Sequence, residues 1–483
     1  EEPVNGAGQI SAIVYPYNGE QDLLTGINNI DHFGRWGDPT NDANGLGNDI
    51  DADAGAKLAL RYTSGANTYQ YGNPGTNYTT TVTRNFAHVS TQYYYLLTTP
   101  WGETESVIST VFQTTKTNGT EIPMYVNKKT IIRGNKKWFA TIYYIRNNHA
   151  TRNAVNTRFF QGCDWNFNGS NNGDDCAYDG AKDTVFGYKS AGNPVSYGGF
   201  SGFTASLSHH VGTYITMWQA IVNANLNNLN SVNGDAGTAL EFLVGNGSLP
   251  AGSSGAVEII WGYGNTLNGQ AQADMQAEID YGKARLHDTG ILEITSPAEG
   301  RVFRNSDGYI MISATAVNYG LRDWSTVPVK IDITGPAGFT PVTGFTYANV
   351  TFTVPTAESV IAGYGFDISN TAAVPPGLYT IRVYTDLSSI PGITDQNPGN
   401  DSKTVNVYIG GVSVNPETRQ VVSAGSYGDI ALTCGNTTGT NYRFNISPDS
   451  SSMGWPTSVL NQSDSALLAA DYDGDLVWDY VNP

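Results

Sequence analysis

The chain has 483 residues, with 25 Lys and Arg against 43 Asp and Glu, for a formal net charge of −18. A balance this acidic excludes the basic footprint that nucleic acid or an anionic membrane surface requires, and it suits cation binding. Only 14% of residues are charged while 40% are hydrophobic, with 29 Tyr, 17 Phe and 9 Trp, so substantial cores lie under a surface of Asn, Thr, Ser, Gln and Gly.

The opening Glu1-Glu2-Pro3-Val4-Asn5-Gly6 has neither a positive segment nor an apolar core and reads as a mature end left by signal-peptide removal, which places the protein outside the cell or on its surface. No apolar run reaches the ~18 residues a membrane span needs. Strand-like runs follow at Ile10 to Tyr15, at the alternating Thr79 to Phe86 with Tyr93 to Leu97, at Trp138 to Ile145, at Val211 to Trp218 and at Val257 to Trp261. They predict an all-β chain whose residues 1–288 form one large antiparallel β-sandwich. In Trp138-Phe139-Ala140-Thr141-Ile142-Tyr143-Tyr144-Ile145 both phases are bulky, so this strand is expected to be covered on both faces. Ala271 to Leu286, with Met275, Ile279 and Leu286 on one face, predicts a closing helix.

Within this segment the loop Asp164 to Asp175 carries the densest chemistry. Oxygen ligands fall at Asp164, Asn166, Asn168, the Ser170 carbonyl, Asn172 and Asp175, with Gly169 at the bend, which is the order of a twelve-residue calcium loop. It departs from that pattern in ending on Asp rather than Glu and in being flanked by strands; the bland reading is an Asn- and Gly-rich surface turn. Cys163 and Cys176 end the loop and are expected to close it as a disulfide, with Cys434 left as a buried hydrophobe in a later strand. Asp49, Asp51 and Asp53 repeat the alternating-oxygen theme as a second, shorter calcium candidate, against an ordinary acidic loop.

Three further features carry a chemical reading beside a structural one. His209-His210 on a strand point to opposite faces, so they do not chelate one ion and are read as structural. Glu103 and Glu105, beside Trp101, are the best local pair for glycoside hydrolysis, against solvated glutamates on an edge strand. Tyr93-Tyr94-Tyr95 and Tyr143-Tyr144 offer a sugar-stacking platform or simply half-wet sheet filler. Sequons at Asn77, Asn118, Asn168, Asn246, Asn349, Asn400, Asn436, Asn445 and Asn461 permit glycosylation at about the frequency chance gives so Asn- and Thr-rich a chain.

After the linker Asp288-Thr289-Gly290, residues 289–409 show alternation at Val327 to Ile333, Tyr379 to Val383 and Val405 to Ile409, the signature of an immunoglobulin-like sandwich. Residues 410–483 open similarly but hold too few strands to close, so either the gene continues or another copy supplies a strand. Val317-Asn318-Tyr319-Gly320, Pro376-Gly377-Leu378-Tyr379-Thr380-Ile381-Arg382-Val383 and Ile393 to Asp401 resemble the CARDB-type adhesion modules of bacterial and archaeal surface proteins. Ser413 to Pro416 and Ala424 to Ser426 are similar to another class of surface sandwich repeats. The tail, through Asp471, Asp473, Asp475 and Asp479, resembles the Asp-rich calcium repeats of such proteins, with Leu476 where Gly is expected. The first segment is faintly similar to the supersandwich of mutarotase-like and glycosidase-associated domains.

These resemblances imply a modular surface or filament protein. The expected function is a calcium-stiffened, self-associating subunit of an extracellular filament, surface layer or adhesive assembly, joined by strand exchange and not an enzyme. The alternative is a carbohydrate-binding or glycoside-cleaving domain on immunoglobulin-like spacers, with surface glycans as partners.

Overall fold

The computed structural model describes residues 51–72, 86–114, 121–133, 137–165, 174–189, 196–234, 236–264, 270–355, 359–390 and 392–410, together with the backbone of three short strand pairs. The first of these pairs is β1 (Ala12–Pro16) with β2 (Phe33–Trp36). There follow β3 (Asp51–Ser64), β4 (Asn67–Gly72), β5 (Phe86–Thr98), β6 (Thr104–Thr114), β7 (Met124–Arg133), β8 (Trp138–Asn147), β9 (Ala154–Trp165), β10 (Asp175–Asp179), β11 (Thr184–Lys189), β12 (Ser196–Gly202) and β13 (Ser208–Thr213). Helix α1 (Tyr214–Asn223) precedes β14 (Ser231–Asn233), β15 (Ala236–Leu243), β16 (Ser248–Leu249), β17 (Ser254–Gly264) and helix α2 (Ala271–Lys283).

Two antiparallel sheets stack on each other. One has nine strands in the order β14-β10-β11-β12-β17-β8-β7-β6-β5, the other six, running β13-β15-β9-β3-β4 with β16 added to β9. Period-2 alternation explains how β8 serves two cores at once. Phe139, Tyr143 and Ile145 enter the core between the sheets, beside Phe159, Trp165 and Trp261. Trp138, Ala140 and Ile142 face outward into a further cluster under α2. The strand is thus covered on both sides, as its sequence indicates.

Helix α2 presents Met275 and Ile279 to that cluster, each side chain worth about 2 kcal/mol when fully buried. Close approach requires glycine on the sheet: a Cβ at Gly264 would lie 1.9 Å from the Ala271 carbonyl oxygen. Helix α1 covers the opposite face of the six-stranded sheet through Tyr214, Met217, Trp218 and Ile221. Sequence reading takes Val211 to Trp218 as one strand; the strand ends at Thr213, whose side chain caps α1 by accepting from the Thr216 amide.

A second core, from Ile291 to Ile409, is a sandwich of a three-stranded and a five-stranded sheet. The three strands run β18 (Thr289–Ser296), β20 (Tyr309–Asn318) and β23 (Ser359–Asp367). The five run β19 (Val302–Phe303), β25 (Ser402–Ile409), β24 (Gly377–Thr385), β21 (Trp324–Thr334) and β22 (Val342–Phe352), with β19 parallel to β25 and every other pairing antiparallel. Trp324 is buried on β21, and the Tyr379 hydroxyl at the start of β24 donates to the Pro375 carbonyl at 2.7 Å. Strand order, core Trp and this tyrosine corner are those of an immunoglobulin-type sandwich. The remaining short pairs are β26 (Val412–Asn415) with β27 (Thr433–Asn436), and β28 (Ala469–Ala470) with β29 (Asp479–Tyr480). Among the described residues no helix is long and apolar enough to cross a membrane.

Candidate functional site at the junction of the sandwiches

Asp164 is buried at the end of β9 and Asp175 opens β10, so their loop links the two sheets; Asn166, Asn168, Ser170 and Asn172 lie outside the described residues. Asp175 Oδ1 accepts from the Gly234 amide at 3.2 Å. Asp49 also lies outside, whereas Asp51 and Asp53 belong to β3, a strand rather than the expected loop, and Asp51 pairs across the ladder with Trp165. The two acidic segments therefore meet along one ladder. Asp471, Asp473 and Asp475 lie outside the described residues, and Asp479 opens β29. Among the described residues, no three His, Cys, Asp or Glu side chains are grouped to hold a metal ion.

Cys163 and Cys176 are both buried, with no disulfide between them. They stand on strands of opposite sheets, and each thiol turns to backbone carbonyls: Cys163 Sγ lies 3.7 Å from the Asp164 oxygen, Cys176 Sγ 3.5 Å from that of Gly212. The expected staple is thus corrected to two buried thiols, while Cys434 is part of β27. Of the sequons, Asn246 and Asn349 are exposed and Asn436 ends β27; Asn77, Asn118, Asn168, Asn445 and Asn461 lie outside the described residues. Asn400 is half-buried, and its Nδ2 donates to Asp288 Oδ1 at 2.9 Å.

Glu103 and Glu105 are engaged with different partners in the first sandwich. Strand β6 lies inside the nine-stranded sheet, not at its edge, and Glu105 is 1% exposed with its Oε2 3.0 Å from Arg133 Nε. Glu103 sits in the preceding turn, accepting from Trp101 Nε1 at 3.1 Å. The tyrosine platform is likewise internal at Tyr143, buried with its hydroxyl 2.6 Å from Gln161 Oε1. His210 is 2% exposed and burial pushes it down to about 4, so it stays neutral; His209 stacks on Tyr178 at 3.5 Å.

What the fold does assemble is a junction that no local motif announces. Arg133, reaching out from β7, pairs with Glu105 and also donates to the carbonyls of Tyr319 and Gly320, the latter at 3.0 Å. Beside it, Lys129 Nζ lies 2.6 Å from Asp323 Oδ2 and 2.7 Å from the Val354 carbonyl, and the Asp323 amide donates to the Tyr144 hydroxyl at 2.7 Å. Burial, with Asp323 close by, holds that phenol far above its ordinary range. A third group joins Glu258 of β17 to His287, 3.2 Å away, and to Arg322, 3.0 Å away. Burial raises the Glu258 carboxyl, but His287 and Arg322 outweigh it and hold the group ionised below the usual range.

These contacts work because the chain comes very close here. A Cβ at Gly320 would meet the Leu286 carbonyl oxygen at 2.6 Å, and the Gly320 amide donates to the Asp288 carbonyl at 2.7 Å. Leu321 and Val354 of the second sandwich complete the apolar cluster under α2. A lost partner in such a site would leave a buried charge, which costs several kcal/mol, so the arrangement fixes one relative position of the two sandwiches.

No known protein-family profile matches the chain. Among solved structures it is similar to a bacterial glucoamylase complexed with acarbose, at 8% identity and a TM-score of 0.31, over 48% of this chain and 29% of that one. A polysaccharide lyase matches at 9% identity and a TM-score of 0.25, over 74% of this chain and 39% of the other. A GH36 α-galactosidase from Geobacillus stearothermophilus in complex with raffinose matches at 8% identity and 0.26, over 53% of this chain and 39% of the other. The chain spans well under half the length of these enzymes, and likeness at this level carries no argument about activity.

Proposed function

We propose that the protein is a structural subunit of an extracellular filament, surface layer or adhesive assembly. The observation that carries the reading is the junction: ion pairs from Lys129 to Asp323 and from Glu258 to Arg322, with a shared apolar cluster, clasp the two β-sandwiches together, a joint that a load-bearing repeat needs. The best candidate catalytic carboxylate, Glu105, is committed to that clasp through Arg133. Self-association would proceed by strand pairing at sheet edges, with the N-terminal segment that contains β1 as the donor. Calcium, held by the loops rich in Asp and Asn, would stiffen the assembly, and exposed Asn246 and Asn349 are the described positions open to glycans.

Deleting residues 1–16 tests the donor mechanism. Sedimentation is expected to show polymers for the full chain and folded monomers for the truncated one; polymers that persist without the segment would overturn strand donation.

A further inference from the structure

Behind the clasp lies a corner where carboxyl groups gather with little positive charge to balance them. Residues 392–401 of the second sandwich reach back to the end of the first. Gln396 bridges the two, its amide donating to the His287 carbonyl at 2.8 Å, its Nε2 to the Lys283 carbonyl, and its Oε1 accepting from the His287 amide at 2.8 Å. Around this bridge stand Asp288, 4% exposed, Asp395 and Asp401. Asp288 Oδ1 accepts from Asn400 Nδ2 at 2.9 Å; Asp395 accepts from the amides of Asn397 and Thr289 at 2.9 and 3.2 Å. Asp401 Oδ1 is buried with no hydrogen-bond partner, an expensive state for an ionised oxygen.

We infer that this corner is a proton-operated latch: protons held by Asp288 and Asp401, against the neighbouring Asp395, keep residues 392–401 on the first sandwich, and their loss releases that segment. Electrostatics agrees with the geometry. Burial first, then Asp395, pushes the Asp401 carboxyl up to about 7, and Asp288 adds to the repulsion while Arg382 opposes it. Burial pushes Asp288 up to about 6, with Asp395 again raising it and Arg285, Asn400 and Asn397 lowering it. Tyr319, which also faces Asp288, is itself raised by burial and stays neutral here.

The sign follows from linkage. Both groups titrate above the ordinary Asp value of 3.8, so the folded chain keeps protons that the unfolded chain has released. Their contribution is fully present below that value, declines as pH rises toward 6 and 7, and is flat above. His210, pushed down to about 4, acts in the opposite direction over the same range, so a difference between variants is more telling than a raw curve.

The experiment is thermal unfolding of the full chain and of Asp401→Asn between about pH 5 and pH 8, with a chelator present so that no divalent cation replaces the proton. The amide imitates the protonated acid. The margin by which the variant out-melts the parent is expected to widen by several degrees from the acid end to about pH 7 and then level off, with protease cleavage in 392–401 rising with pH in the parent alone. A melting difference that does not change with pH would overturn the latch. Asp288→Asn gives the same reading should the first variant fail to fold. The outcome is independent of whether the protein forms filaments.

Discussion

Glu105 illustrates how a residue's role is decided by what faces it across the sheet. In the sequence it is one of two glutamates next to Trp101, a pattern compatible with sugar chemistry; in the fold it is the counter-charge of a buried arginine. Glu105→Gln removes the charge opposite Arg133 and is expected to destabilise the protein by about 3 kcal/mol in a denaturant titration. Glu103→Gln, at a half-exposed turn, should leave the midpoint nearly unchanged. Tyr379→Phe removes the donor to the Pro375 carbonyl and should cost about 1 kcal/mol, read in the same titration. The Lys129 contact to Asp323 was not legible beforehand, because its partner lies 194 residues away and no short-range pattern encodes it.

At the scale of elements, period-2 alternation identified β21, β24 and β25 of the second core, and a strand with two bulky phases, β8, correctly indicated two covered faces. The helix α2 was equally legible, since Met275 and Ile279 repeat at helical spacing. Helix α1 was missed although Tyr214, Met217, Trp218 and Ile221 follow i, i+3, i+4, i+7, because Val211, Tyr214 and Ile215 carry strong strand preference. Thr213→Ala removes its cap and should lower stability by about 1 kcal/mol. Gly264→Ala drives a methyl group into the Ala271 carbonyl; α2 must then lift from β17, and near-ultraviolet circular dichroism of the neighbouring Trp138 and Trp261 is expected to change. An unaltered spectrum and melting point would mean the helix packs less closely than described.

For the whole molecule, the all-β sandwich class followed from composition and alternation, and the immunoglobulin-type order of the second core followed from strand spacing. The junction did not, yet it is what joins the two sandwiches. Its one local trace was Gly320 in Val317-Asn318-Tyr319-Gly320, a glycine whose necessity becomes visible only when Leu286 and Asp288 are placed against it. Gly320→Ala is accordingly expected to part the two sandwiches while leaving each core folded, detected as a larger radius of gyration in solution scattering.

The central claim is that this joined pair of sandwiches is a building block rather than an isolated module. Electron microscopy of the purified full chain, with calcium and again with a chelator, tests it most directly. Ordered filaments or sheets are predicted with calcium, fewer or shorter after chelation; dispersed monomers under both conditions would contradict the account.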